Sequence, residues 1–234
     1  MMKLKRVDHM QYMDGMEIIE SNFMERVLTA VEQYDYSQYS SRDVENALNK
    51  DQLSIEDYGA ILSPAALPYL EDMARKAKLE TRKHFGNSVS LFTPLYIANY
   101  CENQCVYCGF KATNKIHRAT LSFTEAEAEL KAIAATGLKE ILLLTGESRH
   151  KSNVKYIGET IKLAKKYFTT IGIEIYPLNT DEYAYMHSCG ADFVSVYQET
   201  YNTDKYEEVH LWGSKRIFPY RFHAQERAIL GGMR

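Results

Sequence analysis

Three closely spaced cysteines are the residues of this chain best suited to chemistry. Cys101, Cys105 and Cys108 follow a C-x3-C-x2-C spacing in the segment YCENQCVYCGF. Thiolates are the usual ligands of iron–sulfur clusters, and most four-iron clusters are held by four of them. A cluster held by only three thiolates keeps one iron open for another molecule, much as a catalytic zinc ion keeps one position open. The spacing therefore predicts a 4Fe-4S cluster with one reactive iron.

Two other uses of these cysteines fit the sequence less well. A structural zinc site needs four ligands, and the fourth would have to be the distant Cys189 or His117. Disulfide frameworks are typical of small secreted chains, whereas this chain has 4 Cys in 234 residues and its basic start is not followed by an apolar region. We therefore expect reduced thiols in a cytoplasmic protein. Cys189 stands alone and is expected to be a small buried thiol.

Charge and hydropathy argue against two classes of partner. The net charge is −3, with 28 Lys and Arg against 31 Asp and Glu, whereas proteins that bind nucleic acid are usually basic on one face. The longest aliphatic run, residues 141–144, is far shorter than the roughly 20 apolar residues of a membrane span. We therefore expect no nucleic-acid partner and no membrane span.

Two zones of secondary structure must position the cysteines. Residues 16 to about 85 show helical patterns, in which Ser63 is a predicted N-cap with Pro64 at the first helical position. From Val89 onward, strand-like runs alternate with helical patterns. The predicted strands are 89–98, 140–144, 171–176 and 193–197, and the predicted helices are 124–136, 152–168, 181–187 and about 219–230. The predicted domains are thus a helical N-terminal region, 1–85, and a βα region, 86–234.

The alternation of strands and helices predicts an α/β fold with a parallel sheet and right-handed crossovers. Thr124 and Glu127 form a predicted capping box at the start of the first βα helix, and Gly137 is predicted to end that helix. Since the pattern contains four βα units, we expect a partial TIM-type (βα) barrel preceded by the helical region.

In barrels of this type the site lies at the carboxyl ends of the strands. Each of the four predicted strands is followed by a candidate segment. These are the cysteine loop, Thr145-Gly146-Glu147, Pro177-Leu178-Asn179 and Gln198-Glu199-Thr200. The sequence therefore predicts that the four segments meet at one edge of the sheet.

Taken together, these motifs resemble the radical S-adenosylmethionine (SAM) enzymes, whose three cysteines hold a 4Fe-4S cluster while the SAM amino and carboxylate groups chelate the fourth iron. The segments TPLYIANYCENQCVYCGF, NKIHRATL, LLLTGE, IEIYPL and VYQETY are similar, in this order, to the tyrosine lyases that make 2-iminoacetate for the thiamine thiazole ring. The similarity covers roughly residues 50–234. Members of that family carry a complete barrel, so we expect either a C-terminally truncated chain or a second chain that completes it.

The resemblance implies contacts with SAM for three residues near the cysteines. Tyr107 occupies the aromatic position that lies near the adenine in this superfamily, with loop packing as the alternative. Gly146 and Glu147 match the Gly-Glu turn whose backbone oxygens accept hydrogen bonds from the SAM ammonium. Glycine suits a backbone that approaches a ligand closely, but an ordinary strand-to-helix turn has the same composition.

Further candidates follow the third and fourth strands. Glu174 is an acid in a strand predicted to be buried, so it is either paired structurally or directed at SAM. Gln198 and Glu199 can hold SAM or tyrosine, with a solvated loop as the alternative. Lys115 and Arg118 follow the cysteine loop and are expected to be solvated. No residue is assigned a catalytic role.

The resemblance also implies a reaction and its partners. A flavodoxin- or ferredoxin-like donor reduces the cluster, SAM is cleaved to methionine and a 5′-deoxyadenosyl radical, and that radical takes hydrogen from tyrosine, which breaks into 2-iminoacetate and p-cresol. A thiazole synthase is a further expected partner. Two alternatives remain open: the related tyrosine lyase of iron-only hydrogenase maturation, which bears a second cluster, and an inactive or docking fragment.

Overall fold

The computed structural model describes residues 6–234, which form two compact units. One unit is Glu25–Val89, and the other joins residues 6–24 with Ser90–Arg234. Residues 6–24 therefore belong to the unit that carries the sheet. The division into domains 1–85 and 86–234 stays a prediction. Within residues 6–234, no helix combines the length and the apolarity needed to cross a membrane.

The smaller unit is built from helices, two of which begin with a capping box. The predicted N-cap Ser63 precedes a 3-10 turn rather than an α-helix, and its hydroxyl donates to the C=O of Ala60 instead of capping the next turn. Its helices are α1 (Phe23–Gln33, which begins just before the unit), α2 (Ser41–Leu48), α3 (Ile55–Leu62) and α4 (Leu70–Phe85), with 3-10 turns at Tyr36–Gln38 and Pro64–Tyr69. Ser40 and Ser54 cap α2 and α3 through capping boxes, which satisfy backbone N–H groups that have no partner within the helix. Val44, Ala60 and Ala66 form its small core.

Four parallel strands in the order β1-β2-β3-β4 form the sheet of the larger unit. They are β1 (Phe92–Ala98), β2 (Glu140–Thr145), β3 (Thr170–Glu174) and β4 (Phe193–Ser195). Helices α5 (Phe123–Ala134), α6 (Val154–Ala164) and α7 (Thr180–Cys189) connect them, and α8 (Thr203–Val209), a 3-10 turn (Ser214–Arg216), α9 (Phe218–Phe222) and α10 (Ala224–Leu230) follow. The predicted parallel βα arrangement is confirmed.

The core of this unit lies between the sheet and its helices. Leu143 of β2 is fully buried and pairs in register with Leu95 of β1 and Ile173 of β3. Ile157 and Ile161 of α6 belong to the same hydrophobic cluster. Burial of the central strand on both faces is typical of a parallel sheet covered by helices, and it holds the carboxyl ends of the strands in fixed positions.

Several element boundaries differ from the sequence-based prediction. The helix expected from Met16 begins at Phe23, because the Asn179 side chain binds the N–H of Glu17 and the C=O of Gly15. The capping box of α5 is formed by Ser122 with Glu125, two residues before the predicted pair.

The last predicted helix is replaced by two short ones. α9 and α10 are separated at His223, and α8 lies in a segment with no predicted helix. The segment from α8 to α9 therefore turns back toward the cysteine loop, where it supplies residues to the site.

Candidate functional site

The three cysteines of the C-x3-C-x2-C motif line one cavity at the carboxyl ends of the strands. The cavity has a volume of about 210 Å³. Its wall also includes residues that follow β2 and β3, and residues that end or follow β4, namely Gly146, Glu147, Ile175, Ser195, Tyr197 and Glu199. All four cysteines of the chain are free thiols. Residues at or after all four strand ends thus line the cavity together with the thiols. The predicted segment Pro177-Leu178-Asn179 is not in its wall, because the Asn179 side chain bonds to the backbone of Gly15 and Glu17 instead.

Backbone hydrogen bonds hold the cysteine loop from two sides. On one side, the N–H of Glu102 donates to the C=O of Glu147 at 3.0 Å. On the other, the N–H groups of Gln104 and Val106 donate to the C=O groups of Trp212 and Val209, each at 3.0 Å. The loop is therefore fixed between the turn after β2 and the segment after α8.

The donor set fits a four-iron cluster better than a single metal ion. Within residues 6–234, no three His, Cys, Asp or Glu side chains converge closely enough to hold one ion. Such convergence is required for zinc, whereas each thiolate of a four-iron cluster binds a different iron. Cys189, the proposed fourth ligand of a zinc site, lies in the hydrophobic core.

Burial of the thiols disfavours their charged thiolate form unless a cation lies nearby. Burial raises the pKa of Cys105 to about 12, although the Lys215 charge opposes this shift. Burial also raises the pKa of Cys101, and the N–H groups of Asn103 and Glu147 oppose the shift there. A coordinating metal displaces the thiol proton, so a bound cluster would hold these cysteines as thiolates.

The turn after β2 approaches the cysteine loop closely at Gly146. A Cβ atom there would lie 2.8 Å from the carbonyl carbon of Tyr100 and closer still to its oxygen. The carbonyl oxygens of Gly146 and Glu147 accept bonds from the N–H groups of Ser148 and Glu102. Each carbonyl keeps a second lone pair, so the turn can still accept a hydrogen bond from a ligand.

The Glu147 carboxylate is held within a buried network rather than free in the cavity. Arg221 Nη1 donates to its Oε1 at 2.9 Å, and Asn103 Nδ2 donates to its Oε2 at 2.8 Å. Arg221 is 5% exposed and also donates from Nε to the C=O of Tyr197. The network therefore joins the cysteine loop, the turn after β2 and the end of β4.

The other two acids of the cavity have different surroundings. The Glu174 carboxylate lines the cavity, and burial raises its pKa despite the charges of Lys215 and Arg221. Burial acts in the same direction on Glu199, but His210 and Lys215 outweigh it and lower the pKa of Glu199 to about 2. Lys215 Nζ lies 2.6 Å from Glu199 Oε1. Fixed charges of both signs thus face a single cavity.

Two predicted site residues lie outside the cavity wall. The Tyr107 hydroxyl is 2.7 Å from Nε2 of the buried His210, and about half of the Tyr107 surface is exposed. Gln198 is buried, and among residues 6–234 its Nε2 has no hydrogen-bond partner.

Arg118 is not simply solvated as expected, because its guanidinium donates to the C=O groups of Asn99 and Lys111 and so braces the loop.

Sequence reasoning missed four polar residues of the site. Asn103, His210, Lys215 and Arg221 reach the cysteine loop or the cavity. Only the position of Asn103 between two cysteines was a local signal. The other three come from a segment whose place above the sheet is decided by tertiary folding.

Comparisons with known proteins agree with this geometry. Residues 95–224 match the Radical SAM superfamily. The chain is 42% identical over 194 residues to the 2-iminoacetate synthase of Escherichia coli and 41% identical over 194 residues to that of Salmonella typhimurium. Each alignment covers 83% of this chain and 52% of the relative. The chain thus spans about half the length of the curated relatives it matches.

Among solved structures, HydG, a maturase of the FeFe-hydrogenase, superposes with a TM-score of 0.82 at 25% identity. The superposition covers 91% of this chain and 49% of that one. Methylornithine synthase, PylB, superposes with a TM-score of 0.62 at 25% identity, over 85% of this chain and 55% of that one. The half barrel therefore has the architecture of these larger proteins.

Proposed function

Since this chain belongs to the radical SAM superfamily, we propose that it forms the half of a tyrosine lyase that binds the 4Fe-4S cluster and SAM. The whole protein would cleave the Cα–Cβ bond of tyrosine to give 2-iminoacetate and p-cresol for thiamine thiazole synthesis. The superfamily implies these two cofactors. The observation that carries the proposal is the single cavity lined by the three free cysteines and the Gly146-Glu147 turn. The 2-iminoacetate synthases at 41% and 42% identity support the reaction.

The residues of this chain would bind and orient the cofactors. When bound and reduced, the cluster supplies the electron that cleaves SAM and yields the 5′-deoxyadenosyl radical. Cys101, Cys105 and Cys108 would hold three irons, and the loop contacts keep the three thiols at one wall. Gly146 allows the turn after β2 to lie against the loop without a side chain between them.

The charged wall suits a ligand that carries both an ammonium and a carboxylate. SAM and tyrosine both have such a head group. Glu174 and Glu199 would attract the ammonium, and Lys215 would attract the carboxylate, because all three line the cavity. Buried charges interact more strongly than solvated ones, so the wall would orient the head group. Glu174 is the better candidate for direct contact, since no group among residues 6–234 donates a hydrogen bond to its carboxylate.

Contacts from the remaining candidates stay proposals. Tyr107 would reach the adenine from the open side of the loop, held by His210. Glu147 would act through its backbone oxygen, because Asn103 and Arg221 occupy its carboxylate. Gln198 would contribute once a ligand or water reaches its unpartnered Nε2.

A flavodoxin- or ferredoxin-like electron donor and a thiazole synthase are the proposed protein partners. A reducing compartment such as the cytoplasm is proposed as the location, because all four cysteines are free thiols and three of them would serve the cluster.

The tyrosine lyase of FeFe-hydrogenase maturation is the second candidate. It is favoured by the TM-score of 0.82 to HydG, although identity to that structure is 25%. The higher identity to 2-iminoacetate synthases favours the thiamine reaction. Iron content of a chain as long as the curated relatives separates the two, because the maturation lyase carries a second cluster. An inactive fragment is the third candidate, and cluster uptake without SAM cleavage by the longer chain would identify it.

Anaerobic reconstitution with iron and sulfide tests the proposal. We expect about four irons per chain in the wild type and in Cys189→Ser, and a large loss in Cys105→Ser, since Cys189 lies in the core. Equal iron in the two serine variants would overturn the cluster assignment. Assays of 5′-deoxyadenosine and p-cresol should then show full lyase activity only for a chain as long as the relatives. Full turnover by a monomer of the 234-residue chain would contradict this.

A further inference from the structure

Asn103, between the first two cysteines, uses both ends of its side-chain amide. Its Nδ2 donates to Glu147 Oε2 at 2.8 Å and to Cys101 Sγ at 3.7 Å. Its Oδ1 accepts the backbone N–H of Lys215 at 2.9 Å. Asn103 is 1% exposed, so contact with water does not account for a polar side chain at this position. A buried amide with its donor and its acceptor both occupied holds a defined orientation.

The segment after α8 is shaped to receive this side chain. Gly213 has a φ of 96°, a conformation that side chains rarely adopt. A Cβ at Gly213 would lie 2.7 Å from Asn103 Cα and 3.0 Å from Asn103 Cγ. The chain therefore passes directly over Asn103 with no side chain between them. Residue 103 is thus clamped between this segment and the turn after β2.

The clamp fixes the first cysteine as well as the loop. Cys101 is partly buried, and the Asn103 amide is directed at its sulfur. On the opposite side, Arg221 holds the Glu147 carboxylate that accepts from the same amide. A charge-assisted network of this kind has little freedom to rotate. The amide is consequently held against the sulfur by contacts that do not themselves involve the cysteine.

We propose that Asn103 is a positioning residue that holds Cys101 for the cluster and raises the cluster's reduction potential through its N–H···S hydrogen bond. The proposal rests on the proposed function, since it requires the 4Fe-4S cluster. Hydrogen bonds to the sulfurs are one of the factors that set the potential of such clusters. The reduced cluster carries more negative charge, so an N–H donor stabilises it more than the oxidised cluster. The amide therefore makes the first electron easier to accept.

Asn103→Ala and the matched Asn114→Ala test the proposal in the reconstituted 234-residue chain. Asn114 lies in the same loop, and its amide donates to the C=O of Gly109 at 2.9 Å rather than to a sulfur. The readouts are iron per chain and the midpoint potential from an anaerobic titration followed by electron paramagnetic resonance. For Asn103→Ala we expect the midpoint potential to become more negative by up to about 59 mV. For a one-electron couple this corresponds to a tenfold change in the reduction equilibrium. Asn114→Ala should match the wild type.

A second pair of variants approaches Asn103 from outside the loop. Gly213→Ala places a methyl group against Asn103, whereas a Cβ at Gly137 would meet no atom of residues 6–234 within 4 Å. The two glycines have φ values of 96° and 92°, so both variants carry the same backbone strain. Only Gly213→Ala should lower the potential or the iron content.

The outcomes separate the two proposals. A wild-type chain that does not take up four irons overturns the proposed function. If the wild-type chain takes up the cluster but Asn103→Ala and Gly213→Ala match their controls, only the proposed role of Asn103 is overturned. Loss of the cluster from an Asn103→Ala chain with native circular dichroism supports positioning. If that variant does not fold, Asn103→Leu decides, since leucine has a similar volume but can neither accept the Lys215 N–H nor donate to the Cys101 sulfur, and an unchanged potential there overturns the proposal.

Discussion

Replacing Gly146 by alanine should separate the turn after β2 from the cysteine loop. The new Cβ would meet the backbone of Tyr100 and Asn99, with the Tyr100 carbonyl carbon at 2.8 Å. The Tyr100 carbonyl oxygen would be closer still, and an ordinary van der Waals contact begins near 3.4 Å, so one backbone segment must move by more than about 0.6 Å. No side-chain rotation can relieve this, because both colliding partners are main chain. Tyr100 directly precedes Cys101, so the movement reaches the first cluster ligand.

Two effects of different size follow from that displacement. Overpacking of this kind costs about 1–3 kcal/mol of unfolding free energy. A misplacement of about 1 Å at a reacting centre can cost about a hundredfold in rate, so a shift of more than about 0.6 Å should lower SAM cleavage by more than about tenfold. The effect on rate should therefore exceed the effect expected from partial unfolding, which is small while the chain stays mostly folded.

The assay measures 5′-deoxyadenosine formation and SAM affinity in a reconstituted chain as long as the curated relatives. Gly109→Ala is the control, because this glycine also lies in the cysteine loop but a Cβ there meets no atom within 4 Å in the part of the chain that the structure describes. We expect the control to keep wild-type rates. Wild-type SAM cleavage and affinity in Gly146→Ala would refute the reasoning that this close backbone approach positions the cluster.

Three further perturbations follow from the charges of the site. Arg221→Met should lower the unfolding free energy of the apoprotein, measured in urea, by about 3–5 kcal/mol, because it leaves the buried Glu147 without its cation. The control Arg149→Met breaks a half-exposed ion pair and should cost about 1 kcal/mol or less. The pKa of Glu199 is about 2 in the folded chain against an ordinary value of 4.5. The stability that its carboxylate contributes is therefore present above pH 4.5 and lost as the pH falls toward 2, and Glu199→Gln should flatten that part of the stability–pH curve. Burial raises the pKa of Glu174, so its ionisation opposes folding as pH rises, and Glu174→Gln should stabilise the apoprotein at neutral pH by less than about 1 kcal/mol while weakening SAM binding.

Each of these three has a result that contradicts it. Equal losses in Arg221→Met and Arg149→Met would mean that burial of the first pair has no energetic consequence. An unchanged loss of stability between pH 4.5 and pH 2 in Glu199→Gln would show that His210 and Lys215 do not stabilise the Glu199 carboxylate. Tighter SAM binding by Glu174→Gln would exclude that carboxylate as a partner of the ammonium.

Local sequence determined the parts of this protein that depend on neighbouring residues. The C-x3-C-x2-C motif places three thiols on one short loop whatever the rest of the chain does. The alternation of strand and helix patterns predicts the parallel sheet, because each pattern reflects burial of one element against the next. A parallel sheet brings its carboxyl ends to one edge, so Gly146, Glu174 and Glu199 were found near the cysteines.

Competition between equivalent local signals limited the prediction of boundaries. Ser122 and Thr124 each precede a glutamate by three residues, and the structure uses the first pair. Met16 belongs to a helical pattern, yet Asn179, far along the chain, takes the hydrogen bonds that a helix would need there. Both outcomes depend on tertiary contacts that outweigh small local preferences.

Tertiary structure alone decided which polar side chains complete the site. Asn103 and Lys215 are separated by 112 residues, and Glu147 and Arg221 by 74. No periodic pattern links residues so far apart, because their contact depends on how the segment after β4 folds back over the cysteine loop. Burial then gives these contacts their strength, since a hydrogen bond or ion pair counts for more where water cannot compete. The sequence thus determined the ligands of the proposed cluster, and the fold determined the network that holds them.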